Sequence, residues 1–276
     1  VLSHPADYVF LNGSVLTMDP RDRVCEAVAV GGNRILAAGA TPEMKSLAGP
    51  QTRIFDLKGR SLVPGFNDCH CHAGNYGPMK FNLVCTAAAI PSIEDLKKEV
   101  RRRAAATPKG GWILGRGYDH TKLKENRHPT RWDLDEAAPD HRVFILRTCG
   151  HLGVVNSLAL EEFGIHRGSP DPPGGRIDRD RSGEPTGLLY EQALAPVRMS
   201  TQPSYDDFLR GLKILNEDFL RYGITSATDA SGRSPEEIRA FQTAVSGGWL
   251  KVRLYFQVRT SGPAIQLGEH YLQSGL

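Results

Sequence analysis

Strand-like and helical segments alternate along the chain from residue 65 onward, after the dipeptide Pro64-Gly65. Runs of β-branched and aliphatic residues predict strands, and apolar residues at helical spacing predict helices. The predicted strands are 65–70, 112–115, 142–147, 225–228 and 251–258. The predicted helices are 93–106, 156–163, 205–221 and 235–245, with Ser204 as the N-cap of the third. Such alternation indicates βα units and an α/β fold.

The first 63 residues show a different pattern, in which short apolar runs are separated by turn signals. Asn12-Gly13 is a dipeptide typical of β-hairpins, and Asp19-Pro20 closes the run that follows it. We therefore expect a small antiparallel sheet in this part. One later segment, residues 168–187, is rich in Gly, Pro, Asp and Arg, and it predicts a long surface loop.

Composition and charge argue against several classes of protein. The net charge of +3 is too small to indicate binding to nucleic acid or to a membrane surface. No apolar run approaches the roughly 20 residues that span a bilayer. Five cysteines, with Cys69 and Cys71 crowded into one motif, disfavour a disulfide framework and favour a reducing cytoplasm. The chain does not begin with Met, so we expect it to be trimmed or to be part of a longer protein.

The segment from Asp68 to His72 carries the strongest chemical signal. On a strand, side chains two residues apart point to the same side, so Asp68, His70 and His72 would project together while Cys69 and Cys71 point away. Two imidazoles on one face can bind a divalent metal, and Asp68 would orient a ligand through a hydrogen bond. Two alternatives stay open: the histidine spacing is a coincidence, or the four residues 69–72 together form a structural zinc site.

A β-rich N-terminal part followed by Val63-Pro64-Gly65-Phe66 and the spaced Asp68, His70 and His72 resembles the start of the amidohydrolase superfamily. Four further segments resemble its YtcJ-like branch, amidohydrolase family 3, which is similar to N-substituted formamide deformylases. In the order of that family they are Gly115–Asp119, Gly150–Leu160, Gly183–Glu191 and Gly223–Ala230.

This resemblance implies a TIM-barrel metal-dependent hydrolase with a small N-terminal β-sandwich part. Residues 1–63 would form strands of the sandwich, 64–77 and 204–276 the first strands and helices of the (β/α)8 barrel, and 78–203 an insertion over the barrel mouth. Residues 223–230 and 252–258 would be the second and third barrel strands. The barrel would be incomplete in this chain, and the remaining metal ligands and the catalytic base would lie beyond Leu276. The 276 residues by themselves would then be inactive.

The same resemblance implies hydrolysis of a non-peptide C–N bond in a small amide- or formamide-type substrate by a metal-activated water. His70 and His72 would bind the metal, which we expect to be Zn, with Fe, Mn or Ni as alternatives. The expected partners are a small-molecule substrate and a second copy of the chain in a homodimer, but neither nucleic acid nor a membrane. The alternatives are a metal-dependent isomerase or deaminase of the same fold, and a non-catalytic fragment that only binds.

Five further residues are candidates for contact with substrate or metal. Tyr118 and Asp119 follow two flexible glycines, and His151 follows a predicted strand. Glu191 follows an apolar run, and Asp229 ends a predicted barrel strand, where catalytic residues of this fold lie. The structural alternatives are loop formation for His151 and a helix N-terminus for Glu191 and Asp229. Four other histidines lie among charged or Pro-rich residues and are expected to be exposed: His120, His128, His141 and His166.

Overall fold

The computed structural model describes residues 5–231 and 234–257. In that part of the chain the strands are β1 Ala6–Leu11, β2 Ser14–Leu16, β3 Val24–Cys25, β4 Ala27–Gly31, β5 Arg34–Gly39, β6 Ala48–Asp56, β7 Ser61–Leu62, β8 Phe66–Cys71, β9 Leu83–Val84, β10 Trp112–Tyr118, β11 Arg142–Arg147, β12 Leu152–Val155, β13 Gly175–Arg179, β14 Pro185–Glu191, β15 Ile224–Asp229 and β16 Arg253–Phe256. The α-helices are α1 Thr41–Lys45, α2 Ala73–Met79, α3 Ile93–Ala104, α4 Arg131–Ala137, α5 Ser157–Glu162, α6 Ala195–Ser200, α7 Tyr205–Arg221 and α8 Pro235–Ser246.

Contacts divide the described residues into two compact units. The first unit comprises residues 5–69 and 219–227, and the second comprises 70–218, 228–231 and 234–257. Within the first unit, the strands up to β7 form two sheets, in the orders β5-β4-β1-β6 and β3-β2-β7. The expected antiparallel sheet is therefore only partly right, because β1 pairs in parallel with β6 and β2 pairs in parallel with β7.

The predicted hairpin at Asn12-Gly13 is wrong, since β1 and β2 belong to different sheets. The backbone at this point bonds to a later segment instead: Leu57 donates to the carbonyl of Leu11 at 2.8 Å, and Gly59 donates to that of Asn12 at 2.7 Å. A Cβ at Gly13 would lie 2.3 Å from Leu57 Cδ1, so glycine is needed for this close approach. The dipeptide signal identified a turn but not the partner that the chain meets after it.

Helix α7 has the bounds that its apolar stripe predicts. Ser204 precedes it, and the Ser204 Oγ accepts a hydrogen bond from the Asp207 N–H at 3.2 Å, as expected of an N-cap. The other predicted helices are confirmed within two residues at each end. The stripe of α7 is buried at Phe208, Leu212, Leu215 and Phe219, whereas Leu220 is exposed.

The second unit contains a six-stranded sheet in the order β13-β14-β12-β11-β10-β9. β9, β10 and β11 run parallel, and β12, β14 and β13 continue the sheet in antiparallel pairs. Alternate residues of a strand point to opposite faces, so both faces have a core. Ile113, Val143 and Ile145 pack with residues of α3 and α4 on one face, while Phe144 and Val155 pack with residues of α5 on the other.

The surface loop predicted for residues 168–187 is wrong over its second half, which contains β13 and the start of β14. Asp180 closes the turn between them, because its carboxylate accepts hydrogen bonds from the N–H groups of Ser182 at 2.9 Å and Glu184 at 3.0 Å. β13 lies at the edge of the sheet, where polar and charged side chains are tolerated. Its composition therefore resembles that of a loop.

A three-stranded sheet in the order β16-β15-β8 contains the strand with the histidine motif. Phe66 donates to the carbonyl of Gly223 at 2.8 Å, and Ala230 donates to that of Cys71 at 2.9 Å. The pairing therefore advances in the same direction along β8 and β15, which makes them parallel. The strands predicted at 65–70 and 225–228 are confirmed, and Val258 of the strand predicted at 251–258 lies outside the described residues.

Helices α2 and α7 approach each other at two glycines. A Cβ on Gly77 would lie 1.9 Å from the carbonyl oxygen of Gly211, and a Cβ on Gly211 would lie 2.5 Å from Pro78 Cδ. Real Cβ atoms do not come so close to backbone or ring atoms, so any side chain here would separate the helices. Since α2 begins directly after His72, this contact fixes the segment that follows the histidine motif.

We predict that Gly211→Ala destabilises the protein, although Ala normally stabilises a helix relative to Gly. The expected loss in free energy of unfolding is about 1–3 kcal/mol, the range for overpacking a close contact. Denaturant unfolding followed by circular dichroism measures it. Glu217→Ala, at an exposed position of the same helix, should change stability by less than about 0.5 kcal/mol. An equal or higher stability of Gly211→Ala would contradict the close contact.

Candidate functional site

The two histidines of the motif lie at the junction between β8 and α2. His70 is within the strand, and His72 follows its last residue and is the N-cap residue of α2. Their rings lie 5.9 Å apart, centre to centre, with an angle of 89° between the ring planes. The side chains of the pair therefore lie close together, as the two-residue spacing predicts.

This arrangement fits a shared divalent metal. A zinc ion lies about 2.0–2.1 Å from a ligating imidazole nitrogen and thus roughly 3 Å from the ring centre. Two rings on one ion would have centres about 5 Å apart at a tetrahedral angle and about 6 Å apart at most, so the observed 5.9 Å lies near the upper limit for a shared ion. His72 Nδ1 is 2.6 Å from Ser231 Oγ, so this nitrogen has a hydrogen-bonding partner and Nε2 is the nitrogen that can face a metal.

The buried carboxylate of Asp229 connects the segments on either side of this pair. It is 1% exposed, and its two oxygens accept hydrogen bonds from the N–H groups of Gly74 and Ser231, both at 2.9 Å. Gly74 is in the first turn of α2, so Asp229 stabilises a helix N-terminus from a neighbouring strand. The contacts at this residue match the capping alternative, whereas a catalytic role for it stays a prediction.

The neighbouring cysteines do not join the histidines in a metal cluster. Cys71 donates its thiol to the carbonyl of Thr228 at 3.5 Å, and Cys69 donates to that of Asn67 at 3.8 Å. Within residues 5–231 and 234–257, no three His, Cys, Asp or Glu side chains are grouped so that they could hold a metal. This argues against a structural zinc site formed by residues 69–72. Asp68 is half-buried two residues before His70, and its orienting role stays a prediction.

A second group of polar residues lies where β10 and β11 end. Arg147 donates through Nη2 to Asp119 Oδ1 at 2.8 Å and through Nε to His120 Nδ1 at 3.2 Å. Desolvation alone would raise the pKa of the Asp119 carboxyl, but hydrogen bonds from Thr121 and Arg147 hold it below its usual range. Since the two strands are parallel, their carboxyl ends meet at the same edge of the sheet.

His120 and His128 form a stacked pair of rings in this group, with centres 3.8 Å apart and an interplanar angle of 22°. Burial, the neighbouring His120 and the charge of Arg147 lower the pKa of His128 to about 4. The Tyr118 hydroxyl is 3.0 Å from His128 Nδ1, and burial raises the pKa of this phenol, so it stays protonated and can donate to the neutral ring. Tyr118 is 1% exposed in the hydrophobic core, which argues against its predicted contact with substrate or metal.

His151 and Glu191 are in contact at the same edge, with 3.1 Å between His151 Nδ1 and Glu191 Oε1. Desolvation would raise the pKa of the nearby Cys149 thiol, but the His151 N–H at 3.4 Å and Arg147 lower it below its usual value. Glu191 ends β14 with φ 48° and ψ −117°, a backbone conformation that is strained for any residue except glycine. The strain is held at a position with an exposed, charged side chain, which is a pattern found at functional sites.

The structure thus brings together three of the five candidates. Asp119, His151 and Glu191 are linked through Arg147 and Cys149, while Tyr118 lies in the core beneath them. Sequence reasoning missed Arg147, Cys149 and Ser231, which no motif singled out.

The predicted exposure of four histidines is wrong for three of them. His141 is 7% exposed, and its Nε2 is 3.0 Å from the carbonyl oxygen of Thr107. His120 and His128 are half-buried because they stack on each other, a contact between residues eight positions apart that local composition does not reveal. Only His166 of the four is exposed.

Comparisons with known proteins identify the family of this chain. The model of the Amidohydrolase family matches residues 53–270, which is most of the chain. This chain belongs to the amidohydrolase family. It is 33% identical to the N-substituted formamide deformylase of Arthrobacter pascens over 81% of its own length and 42% of that enzyme's. It is 30% identical to the amidohydrolase-like protein YtcJ of Bacillus subtilis, over 94% of this chain and 52% of YtcJ.

A solved structure supports the fold of this amidohydrolase chain. A metal-dependent hydrolase of uncharacterised function from Pyrococcus horikoshii superposes with a TM-score of 0.72 and 24% identity, over 98% of this chain and 51% of that one. The chain therefore spans about half the length of the relatives that it matches. In the described part of the chain, no helix is both long and apolar enough to cross a bilayer.

We predict that His128→Gln makes the stability of the protein less dependent on pH. The folded-state pKa of about 4 lies below the unfolded value of about 6.5. As pH falls through this window the unfolded chain takes up a proton before the folded one does, so the wild type loses stability. Gln cannot be protonated and keeps an acceptor for Tyr118. Thermal unfolding between about pH 7 and 4 should show a shallower decline for the variant.

His166→Gln is the matched control, because His166 is exposed. Its unfolding temperature should follow that of the wild type over the whole pH range. Parallel curves for wild type and His128→Gln would show that His128 is not held neutral by its surroundings.

Proposed function

We propose that the protein hydrolyses a non-peptide C–N bond in a small amide- or formamide-type substrate. The attacking water would be activated by a divalent metal, for which Zn is the first choice. The observation that carries this proposal is the pair of imidazoles, 5.9 Å apart, at the end of a parallel strand in an amidohydrolase chain. The similarity to a formamide deformylase supports the substrate class. A bound metal of this kind lowers the pKa of a water and polarises the scissile carbonyl.

The residues of this chain have two tasks in the proposal. His70 and His72 hold the metal, His72 through Nε2, because its Nδ1 is directed at Ser231 Oγ. Ser231 in turn is held by the hydrogen bond of its backbone N–H to Asp229. Partners of this kind fix the tautomer and the orientation of a ligating ring. A catalytic zinc usually has three protein ligands, so the whole protein must supply at least one more.

We further propose that β8, β15 and β16 are the first three strands of a (β/α)8 barrel, with residues 1–63 in a small β-sandwich. The parallel pairing of β8 and β15 supports this, since barrel strands are all parallel. Residues 78–203 would then be an insertion after the first barrel strand. We propose that the polar edge of its sheet, with Asp119, His151 and Glu191, faces the substrate, because binding residues concentrate on loops at such edges.

The first test is the metal content of His70→Ala/His72→Ala. In the whole protein, the double variant should retain about a tenth or less of the tightly bound metal of the wild type and lose hydrolysis of a formamide and amide panel. Metal analysis by mass spectrometry after dialysis measures the content. Cys69→Ser/Cys71→Ser is the matched control and should keep its metal, because the thiols contact backbone carbonyls. Undiminished metal in the histidine variant would refute the proposal.

The second test addresses the orientation of His72. Ser231→Ala removes the oxygen that receives the Nδ1 proton of a metal-bound His72. We expect metal affinity to fall about 10–100-fold, as for other residues that orient a ligand. Competition with a chromogenic chelator measures the affinity. Ser231→Thr retains the hydroxyl and should keep most of the affinity. Equal affinities for the Ala variant and the wild type would show that the hydroxyl does not orient the ring.

A further inference from the structure

The second unit contains a cleft of about 800 Å³, which is within the usual size of small-molecule sites. It lies beside α2, against the sheet face opposite to the core of α3 and α4. None of the residues that the sequence analysis singled out as candidates lines it. Its lining combines aromatic and aliphatic side chains with an excess of positive charge.

The apolar part of the cleft comes from two neighbouring strands. Trp112 and Leu114 of β10 and Phe144 and Leu146 of β11 line it, because alternate residues of a strand share a face. Trp112 is held in place by stacking on Phe163, with ring centres 6.2 Å apart. The cleft thus has a flat, preformed apolar surface of the type that binds a planar ligand.

Five cationic side chains line the same cleft, against two carboxylates. Three of the cations already have an acceptor: Lys80 is 3.4 Å from Asp218, Arg210 pairs with Asp207, and Arg198 donates to the carbonyl of Gly150. Arg103 and Arg116 differ from these three. Within the described part of the chain, no carboxylate lies within 4.0 Å of either guanidinium.

Arg116 is the cation whose environment most requires an anion. It is half-buried on β10, and its Nη1 contacts the thioether sulfur of Met79, a weak acceptor that carries no charge. A partly buried charge without a counter-charge is costly, and a planar guanidinium matches a carboxylate with two parallel hydrogen bonds. Arg116 belongs to the strand that also contributes Trp112 and Leu114. Charge and apolar surface are therefore fixed relative to one another.

We propose that this cleft is a binding site for a small aromatic carboxylate, whose ring lies on Trp112 and Phe144 and whose carboxylate pairs with Arg116 and Arg103. The site uses no residue of the histidine motif and does not require a bound metal. The cleft is therefore separate from the proposed hydrolytic site, and either proposal can be correct if the other is wrong.

Isothermal titration calorimetry of the whole protein with phenylacetate tests the site. We expect saturable binding of phenylacetate, at least about tenfold weaker binding of the neutral isostere phenylacetamide, and weaker binding of inorganic phosphate, which has charge but no ring. Equal affinity for the anion and the amide would overturn the charge pairing. Equal affinity for phosphate and phenylacetate would overturn the role of the apolar surface. Absence of saturable binding would overturn the proposal as a whole.

Variants locate the site. Arg116→Gln should weaken phenylacetate binding at least about tenfold, and Arg116→Lys, which keeps the charge but not the fork, should fall between Gln and wild type. Arg102→Gln is the matched control: Arg102 adjoins Arg103 on α3 but pairs with Glu99 at 2.8 Å and does not line the cleft. It should bind as the wild type does. Unchanged affinity in a folded Arg116→Gln, checked by circular dichroism, would overturn the assignment.

The His70→Ala/His72→Ala variant separates this proposal from the hydrolase proposal. Phenylacetate should bind to it as tightly as to the wild type, even if metal is lost. If binding disappears together with the metal, then the carboxylate binds at the metal, and the cleft proposal is wrong. If phenylacetate binds to both proteins and the variant holds as much metal as the wild type, the hydrolase proposal fails and the cleft proposal stands.

Discussion

The buried carboxylate of Asp229 is the constraint on which the geometry around the histidines depends. Each of its oxygens accepts a backbone N–H, one from the first turn of α2 and one from Ser231. The segment after β8 and the segment after β15 are therefore held to one point, and Ser231 is held within reach of His72. Without that carboxylate, the buried N–H of Gly74 would lose its acceptor at a cost of about 1–3 kcal/mol, and the partly buried N–H of Ser231 would lose its acceptor too. The Gly77–Gly211 contact fixes α2 at its other end.

The six-stranded sheet collects polar groups at one edge for a topological reason. β10 and β11 run parallel, and β14 runs antiparallel to β12, which is itself antiparallel to β11. The carboxyl ends of β10, β11 and β14 therefore lie at the same edge, where Asp119, Arg147 and Glu191 follow or end their strands. Hydrogen bonds that link these residues lower the pKa of Asp119 and of Cys149, while burial lowers that of His128. The edge combines charged and neutral groups in contact, as functional sites commonly do.

Sequence patterns predicted the elements whose signals are local. The stripe and N-cap of α7 and the two-residue spacing of His70 and His72 depend on neighbours in the chain, and the structure agrees with both. Failures occurred where distant segments decide the outcome. Leu11 and Asn12 accept hydrogen bonds from Leu57 and Gly59, so the chain does not close a hairpin at Asn12-Gly13. The polar segment β13 is a strand because it pairs with β14. Ser231 could not be found because its role depends on a contact with a residue 159 positions away.

The surroundings of individual charged residues also could not be predicted from the sequence. Arg102 and Arg103 are adjacent and identical in type, yet one pairs with Glu99 a turn earlier on α3 and the other lines the cleft beside β10. Successive helical residues are about 100° apart around the axis, so neighbours in sequence face different surroundings. From the sequence alone, the basic residues of α3 would be interpreted as one solvent-exposed face. Only the packing of α3 against the sheet shows that these residues have different surroundings. A cation is informative about ligands only once its partners in the folded chain are known, and Arg103 and Arg116 become candidates because the other cations of the cleft already have acceptors.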